Sequence, residues 1–230
     1  MCESMEKFEL ISEIIKALFF AAAAIWGITV SFKKRGALFL QIVAFGLGCM
    51  ALGNIFVFAL NITAPESALE SLTSGFNIGL LGIFGMFAFI FSASYGQIDG
   101  LGDDKSKELR KYRLLALIAP AINLLLLVGI VFSGIEAHMQ IIYSVLFLPA
   151  ILASYYNLKH LIIPDVELGI LASIRKYNLL ALIMTALVML TTASQLYGIA
   201  VLYSVLNILT GISAPVMFYF AKKGSEGWLK

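Results

Sequence analysis

The chain has 230 residues, 60% of them apolar before its 19 glycines are counted, with only 13% charged and a formal net charge of +2. Ordinary soluble domains are about 45–50% apolar with glycine included and about 25% charged. This balance excludes a soluble enzyme, a disordered chain and a nucleic-acid binder with a basic face.

A hydrocarbon layer about 30 Å thick takes about 20 helical residues, and seven stretches between charges are long enough. None alternates with a period of two, which excludes a transmembrane barrel. The sequence therefore predicts an all-α integral membrane protein, a single transmembrane domain over residues 1–230.

The first span, Leu10–Phe32, follows a mostly acidic leader (Glu3, Glu6, Glu9) and precedes Lys33-Lys34-Arg35. A cleaved signal has its basic segment first, so this span reads as a retained anchor with its N-terminus outside. Span two, Gly36–Leu60, carries Ala44 and Gly48, then Cys49 and Gly53, at small-xxx-small spacing. Cys49 falls in mid-membrane and Cys2 outside, which rules out a disulfide between them. Span three, Thr73–Tyr95, has a stripe of Gly75, Gly79, Gly82 and Met86 with Gly85 beside it. Such faces, with the run Ala21–Ala24 of span one, let helices approach closely, within the monomer or across a homodimer or protein-partner seam. Spans four to seven follow at Arg113–Phe132, Met139–Asn157, Tyr177–Gln195 and Ile199–Ala221, with Pro120, Pro149 and Pro215 expected to kink three of them. The loop His160–Arg175 is apolar enough to lie along the inner surface as a short helix.

Fourteen of the 16 Lys and Arg residues follow spans one, three, five and seven; Lys7 and Lys16 are assigned to the other side. The positive-inside rule then puts the N-terminus outside and the C-terminus in the cytosol of a cell whose plasma (cytoplasmic) membrane holds the chain. Arg110-Lys111-Tyr112-Arg113-Leu114-Leu115-Ala116-Leu117-Ile118 matches Arg175-Lys176-Tyr177-Asn178-Leu179-Leu180-Ala181-Leu182-Ile183 at eight of nine positions. Tyr143-Ser144-Val145-Leu146 recurs as Tyr203-Ser204-Val205-Leu206. A weaker copy runs from Lys33-Lys34-Arg35 to Ala93-Ser94-Tyr95, which echoes Ala153-Ser154-Tyr155. The expected plan is one anchor helix (10–32) plus three parallel-repeat hairpins at about 36–95, 113–157 and 177–221. Cations at a helix N-terminus oppose its dipole, so Arg110, Lys111, Arg175 and Lys176 are candidate contacts for anionic lipid head groups.

Catalytic sets are missing. The interiors of spans two to seven hold no Asp or Glu, and His138 and His160 sit at opposite margins. There is no HExxH, GxSxG or Cys/His cluster. The chain is read as not an enzyme, with no cofactor and no metal. Proton pumping usually leaves ionisable groups inside the bundle, and none is read there. Lys222 comes past the end of span seven, too late for a retinal Schiff base. The topology is receptor-like, but span three ends in Ala93-Ser94-Tyr95-Gly96-Gln97 and span seven in Pro215-Val216-Met217-Phe218-Tyr219, without the motifs of such receptors.

The remaining chemistry is uncharged. Asn54, Asn77, Gln140, Tyr143, Thr191, Thr192, Gln195, Tyr203 and Asn207 map to the outer half of the bilayer and Asn123 to its middle. Amides facing lipid are costly, so these groups bond to one another or line an outward-opening pocket for a small neutral or zwitterionic molecule. The reading is a membrane sensor or receptor-like subunit that signals through the segment Lys105–Arg113 to a separate partner, the nine residues after span seven being too short for an effector. The alternatives are a transporter or substrate-binding subunit for a neutral solute, and an assembly subunit of a membrane complex.

Overall fold

The computed structural model describes residues 2–33, 38–63, 77–98, 109–164 and 170–228. Among them every regular element is helical. These are α1 (Cys2–Lys33), α2 (Leu38–Thr63), α3 (Ile78–Tyr95) with a 3₁₀ turn at Gly96–Ile98, and α4 (Arg110–Ala116). They continue with α5 (Ile118–Val131), α6 (Ala137–Ile162), α7 (Ile170–Leu196) and α8 (Ala200–Trp228). Seven helical stretches are long and apolar enough to cross a membrane, α4 and α5 together forming one of them. Large apolar side chains such as Leu18, Ile25, Leu52, Leu125 and Phe132 stay exposed along them. A soluble monomer does not present such continuous apolar faces to water. The protein is a multi-pass membrane protein.

Several helices outrun their expected ends, because apolarity marks the hydrocarbon and not the end of hydrogen bonding. α6 continues to Ile162 and α7 begins at Ile170, so most of the loop expected over His160–Arg175 belongs to helix ends. Residues 165–169, Gly75, Lys34, Arg35 and positions 105–108 of the segment Lys105–Arg113 lie outside the described residues. The break between α4 and α5 at Leu117 follows from Pro120, which has no N–H for the Ala116 carbonyl and crowds it with its ring. Leu117 N–H turns back to Leu114 O instead, at 3.2 Å.

α1 packs on α2 and α8, α2 on α3, α3 on α6, α6 on α7 and α7 on α8, while α5 lies outside against α6 and α7. Small residues set the closest approaches. A Cβ on Gly82 would lie 2.8 Å from Cys49 O and from Gly53 Cα, and one on Gly85 2.9 Å from the Cys49 side chain. The glycine stripe of span three is thus used inside the chain, against α2. Gly48, by contrast, meets nothing within 4 Å among the described residues. Gly198 (φ +66°) closes α7 at its C-terminal end. Ile199 N–H donates to Ser194 O at 2.9 Å and Gly198 N–H to Gln195 O at 3.0 Å, the double bond of a Schellman ending. Tyr197 OH donates to Gly129 O at 2.9 Å and ties this turn to α5.

Candidate functional site

The inward stripe of α1 runs Ser12, Lys16, Phe20, Ala23, Ala24, Gly27 and Ser31, at the three- and four-residue spacing of one helix face. Ser12, Phe20, Ala23 and Ser31 are fully buried. Two close contacts hold this face in place. A Cβ on Gly27 would lie 2.8 Å from Ala44 Cβ and 3.1 Å from the Phe218 ring; one on Gly211 would lie 2.9 Å from Lys16 Cα. Gly211 is also the residue whose carbonyl Pro215 leaves without its helical partner. Backbone meets backbone there, and Lys16 enters the bundle beside α8.

This corrects the expectation that the bundle holds no ionisable group and that Lys16 lies at the outer surface. Lys16 stands nine residues, about 14 Å of helix, inside Lys7, where the first candidate span begins. Its Nζ donates to Asn207 Oδ1 at 2.6 Å and sits 6.0 Å from the centre of the Tyr203 ring. Asn207 Nδ2 donates to Ser12 Oγ at 3.3 Å, and Ser12 OH to Glu9 O at 2.7 Å. Glu13, one turn toward the N-terminus of α1, accepts from Tyr203 OH at 2.8 Å and from Asn61 Nδ2. Among the described residues no direct ion pair joins Glu13 to Lys16; each charge is hydrogen-bonded to neutral groups and attracts the other across one helix turn.

Between them lies a cavity of about 50 Å³ where α1, α2, α3, α7 and α8 converge. Its polar wall is Glu13, Lys16, Asn54, Gln195 and Tyr203, and its apolar wall comes from α2 and α3, including Met50, Gly53, Gly79 and Ile83. Asn54 is 8% exposed, and its Nδ2 has no acceptor among the described residues. The wall therefore offers an ammonium, an amide donor, a carboxylate and a phenol within one small space.

The structure sorts the residues expected from sequence. Asn54, Gln195 and Tyr203 line the cavity, and Asn207 stands behind it through Lys16. Asn77 instead caps α3, accepting from Leu80 N–H at 3.0 Å. Thr192 returns its hydroxyl to Val188 O and Gln140 its amide to Ile135 O. Thr191 donates to Leu187 O and stands 3.5 Å from the Thr210 hydroxyl. Tyr143, stacked on Phe147, and Asn123 are buried on α6 and α5, away from this wall. The repeated Arg-Lys-Tyr motifs also differ: Arg110, Lys111 and Lys176 are exposed, whereas Arg175 donates to Ile163 O at 3.1 Å. Tyr177 is fully buried against Phe39, while Tyr112 is only half-buried.

Sequence reasoning missed Glu13 and Lys16, although both lie within its own bounds for span one. The available signal was phase: Lys16 shares the helix face of Ala23, Ala24, Gly27 and Ser31. It also missed a buried group near the C-terminal ends of α3 and α6, where Lys159 and His160 are 1% and 0% exposed and Ser94 OH donates to Asn157 Oδ1 at 2.7 Å. A second cavity, about 260 Å³, lies at the start of α2 and the end of α3 beside Phe39, Ile42 and Gln97. No group of three or more potential metal ligands occurs among the described residues. Comparisons with protein-family models, with curated proteins and with solved structures find no match.

Proposed function

We propose that this chain is a receptor-like or sensor subunit that binds a small, net-neutral ligand in the outer half of its bundle and passes the event to a separate partner. The observation that carries the reading is the buried Asn54 amide without an acceptor, in a cavity that also takes in Glu13, Lys16, Gln195 and Tyr203. A buried donor left unmade costs about 1–3 kcal/mol, a cost that a bound ligand removes. In this reading the N-terminus lies outside and the C-terminus in the cytosol of a plasma membrane, supported by the concentration of cations after odd-numbered spans. The chain is an anchor helix followed by three parallel hairpins. The shared Arg-Lys-Tyr openings support that, as does the extensive packing of α2 with α3 and of α7 with α8. Exposed Arg110, Lys111 and Lys176 meet anionic lipid at the inner face, and Gly48 is available to a second copy or a partner helix.

A second reading, transport of the same class of solute, is favoured by the charged groups within the bundle, since intramembrane ionisable residues commonly mark translocation paths. One pair of measurements separates the two. A ligand that raises the melting temperature of the reconstituted protein, with no solute flux into liposomes containing it alone, supports sensing. Flux of that solute replaces sensing by transport. Neither a shift nor flux across a panel of small polar solutes overturns both readings.

A further inference from the structure

We infer that the cavity beside Glu13 and Lys16 takes a small zwitterion of the amino-acid type, its ammonium toward Glu13 and its carboxylate toward Lys16 and Asn54; this rests on the reading of that cavity as a ligand site. Glu13 and Lys16 are three residues apart on α1, which sets their Cβ atoms about 5–6 Å apart on one face. Both line the cavity, yet they are not joined directly. A carboxylate has about four lone-pair sites and an ammonium three donors. Glu13 accepts from Tyr203 and Asn61, and Lys16 donates to Asn207, so each charge keeps capacity for a further partner. Asn54 Nδ2 adds a buried donor with no acceptor.

The charges decide among ligand classes. A simple cation satisfies Glu13 but is repelled by Lys16, and a simple anion has the opposite difficulty. A neutral amide leaves each charge, in a poorly solvated place, hydrogen-bonded only by neutral groups and facing the opposite charge across one helix turn without direct contact, and such charges are costly unless closely paired. A zwitterion meets both at once with no net charge carried into the bundle. Size narrows the class further. At about 10–15 Å³ for each water held, a space of about 50 Å³ corresponds to three to five waters. Covalently linked atoms pack closer than hydrogen-bonded waters, so the five heavy atoms of glycine fit, whereas the added branched side chain of leucine exceeds that space against a wall that includes Met50 and Ile83.

The test uses the full chain in lipid nanodiscs and measures binding by thermal shift and calorimetry with five probes: glycine, acetate, methylammonium, acetamide and leucine. Glycine is expected to bind at least tenfold more tightly than any of the others. Glu13→Gln should bring acetate to within a fewfold of glycine, because Lys16 alone then sets the charge preference. Acetamide, or either singly charged probe, binding the unmodified chain as tightly as glycine overturns the zwitterion inference and leaves the ligand site standing. Leucine binding as well as glycine overturns the size argument on which the class rests. No response to any of the five overturns the inference and the ligand-site reading together. The unmodified chain decides each of these outcomes, so the test does not depend on the variant folding.

Discussion

Replacing Gly211 with Ala probes the contact that brings α1 into the bundle. The new Cβ would stand 2.9 Å from Lys16 Cα, a backbone atom that cannot rotate away. Carbon atoms rest at about 3.5–4.0 Å, so α1 and α8 must part by about 0.6 Å or more, drawing Lys16 from Asn207. Overpacking of this kind costs about 1–3 kcal/mol, but alanine also gains up to about 1 kcal/mol over glycine in helix propensity. Gly48→Ala supplies the control, because a Cβ there meets nothing within 4 Å among the described residues and the propensity gain is common to both. The difference between the two variants therefore isolates the clash. At about 2–4 °C per kcal/mol for a chain of this length, Gly211→Ala should melt about 2–12 °C below Gly48→Ala when both are followed by circular dichroism in the same detergent. Equal melting temperatures, or a more stable Gly211→Ala, would refute the close α1–α8 approach.

Four further substitutions have outcomes fixed by individual residues. Tyr203→Phe removes the phenol that donates to Glu13 and should cost about 1.5–3 kcal/mol, the range for a hydrogen bond to a charged group, read as a lower unfolding midpoint. Gly198→Ala forces a side chain onto a backbone at φ +66° and should cost about 1–2 kcal/mol, with proteolysis at the α7–α8 turn rising in parallel. Arg110→Gln should lower retention of anionic lipid through purification with little loss of stability, because Arg110 is exposed. Arg175→Gln should chiefly lower stability, because that guanidinium is bonded to Ile163 O; the reverse pattern would contradict the assignment.

The spans were legible in the sequence because the solvent dictates them: 30 Å of hydrocarbon demands long apolar runs whatever the packing. The helix ends were less so. The C-terminal part of α6 carries Lys159 and His160, which lie past the expected end of span five at Asn157, yet the helix passes through them and buries them. Of the outer polar residues, Asn54, Gln195, Tyr203 and Asn207 converge because they share a depth and face the same neighbours. Asn77 and Thr192 sit at similar depth but spend their side chains on their own helices, a choice fixed by rotamer and local backbone that depth alone does not reveal. Glu13 and Lys16 were hidden by a counting habit. Charges near a span's end are assigned to water, whereas the packing of Gly27 against α2 and of Gly211 against α1 turns this face of α1 inward.

The central claim is that α1 carries Ser12, Glu13 and Lys16 into the bundle against α8. In a chain with Cys2 and Cys49 replaced by Ser, thiols introduced by Ser12→Cys and Asn207→Cys take the places of two side chains that meet at 3.3 Å. A methylene-bridged bis-methanethiosulfonate should link them within one chain and protect both from later alkylation, while Ser12→Cys with Ser144→Cys, exposed on α6, should stay open. Free alkylation of both thiols in the first pair, or equal linking in the second, would place α1 away from α8 and contradict the site.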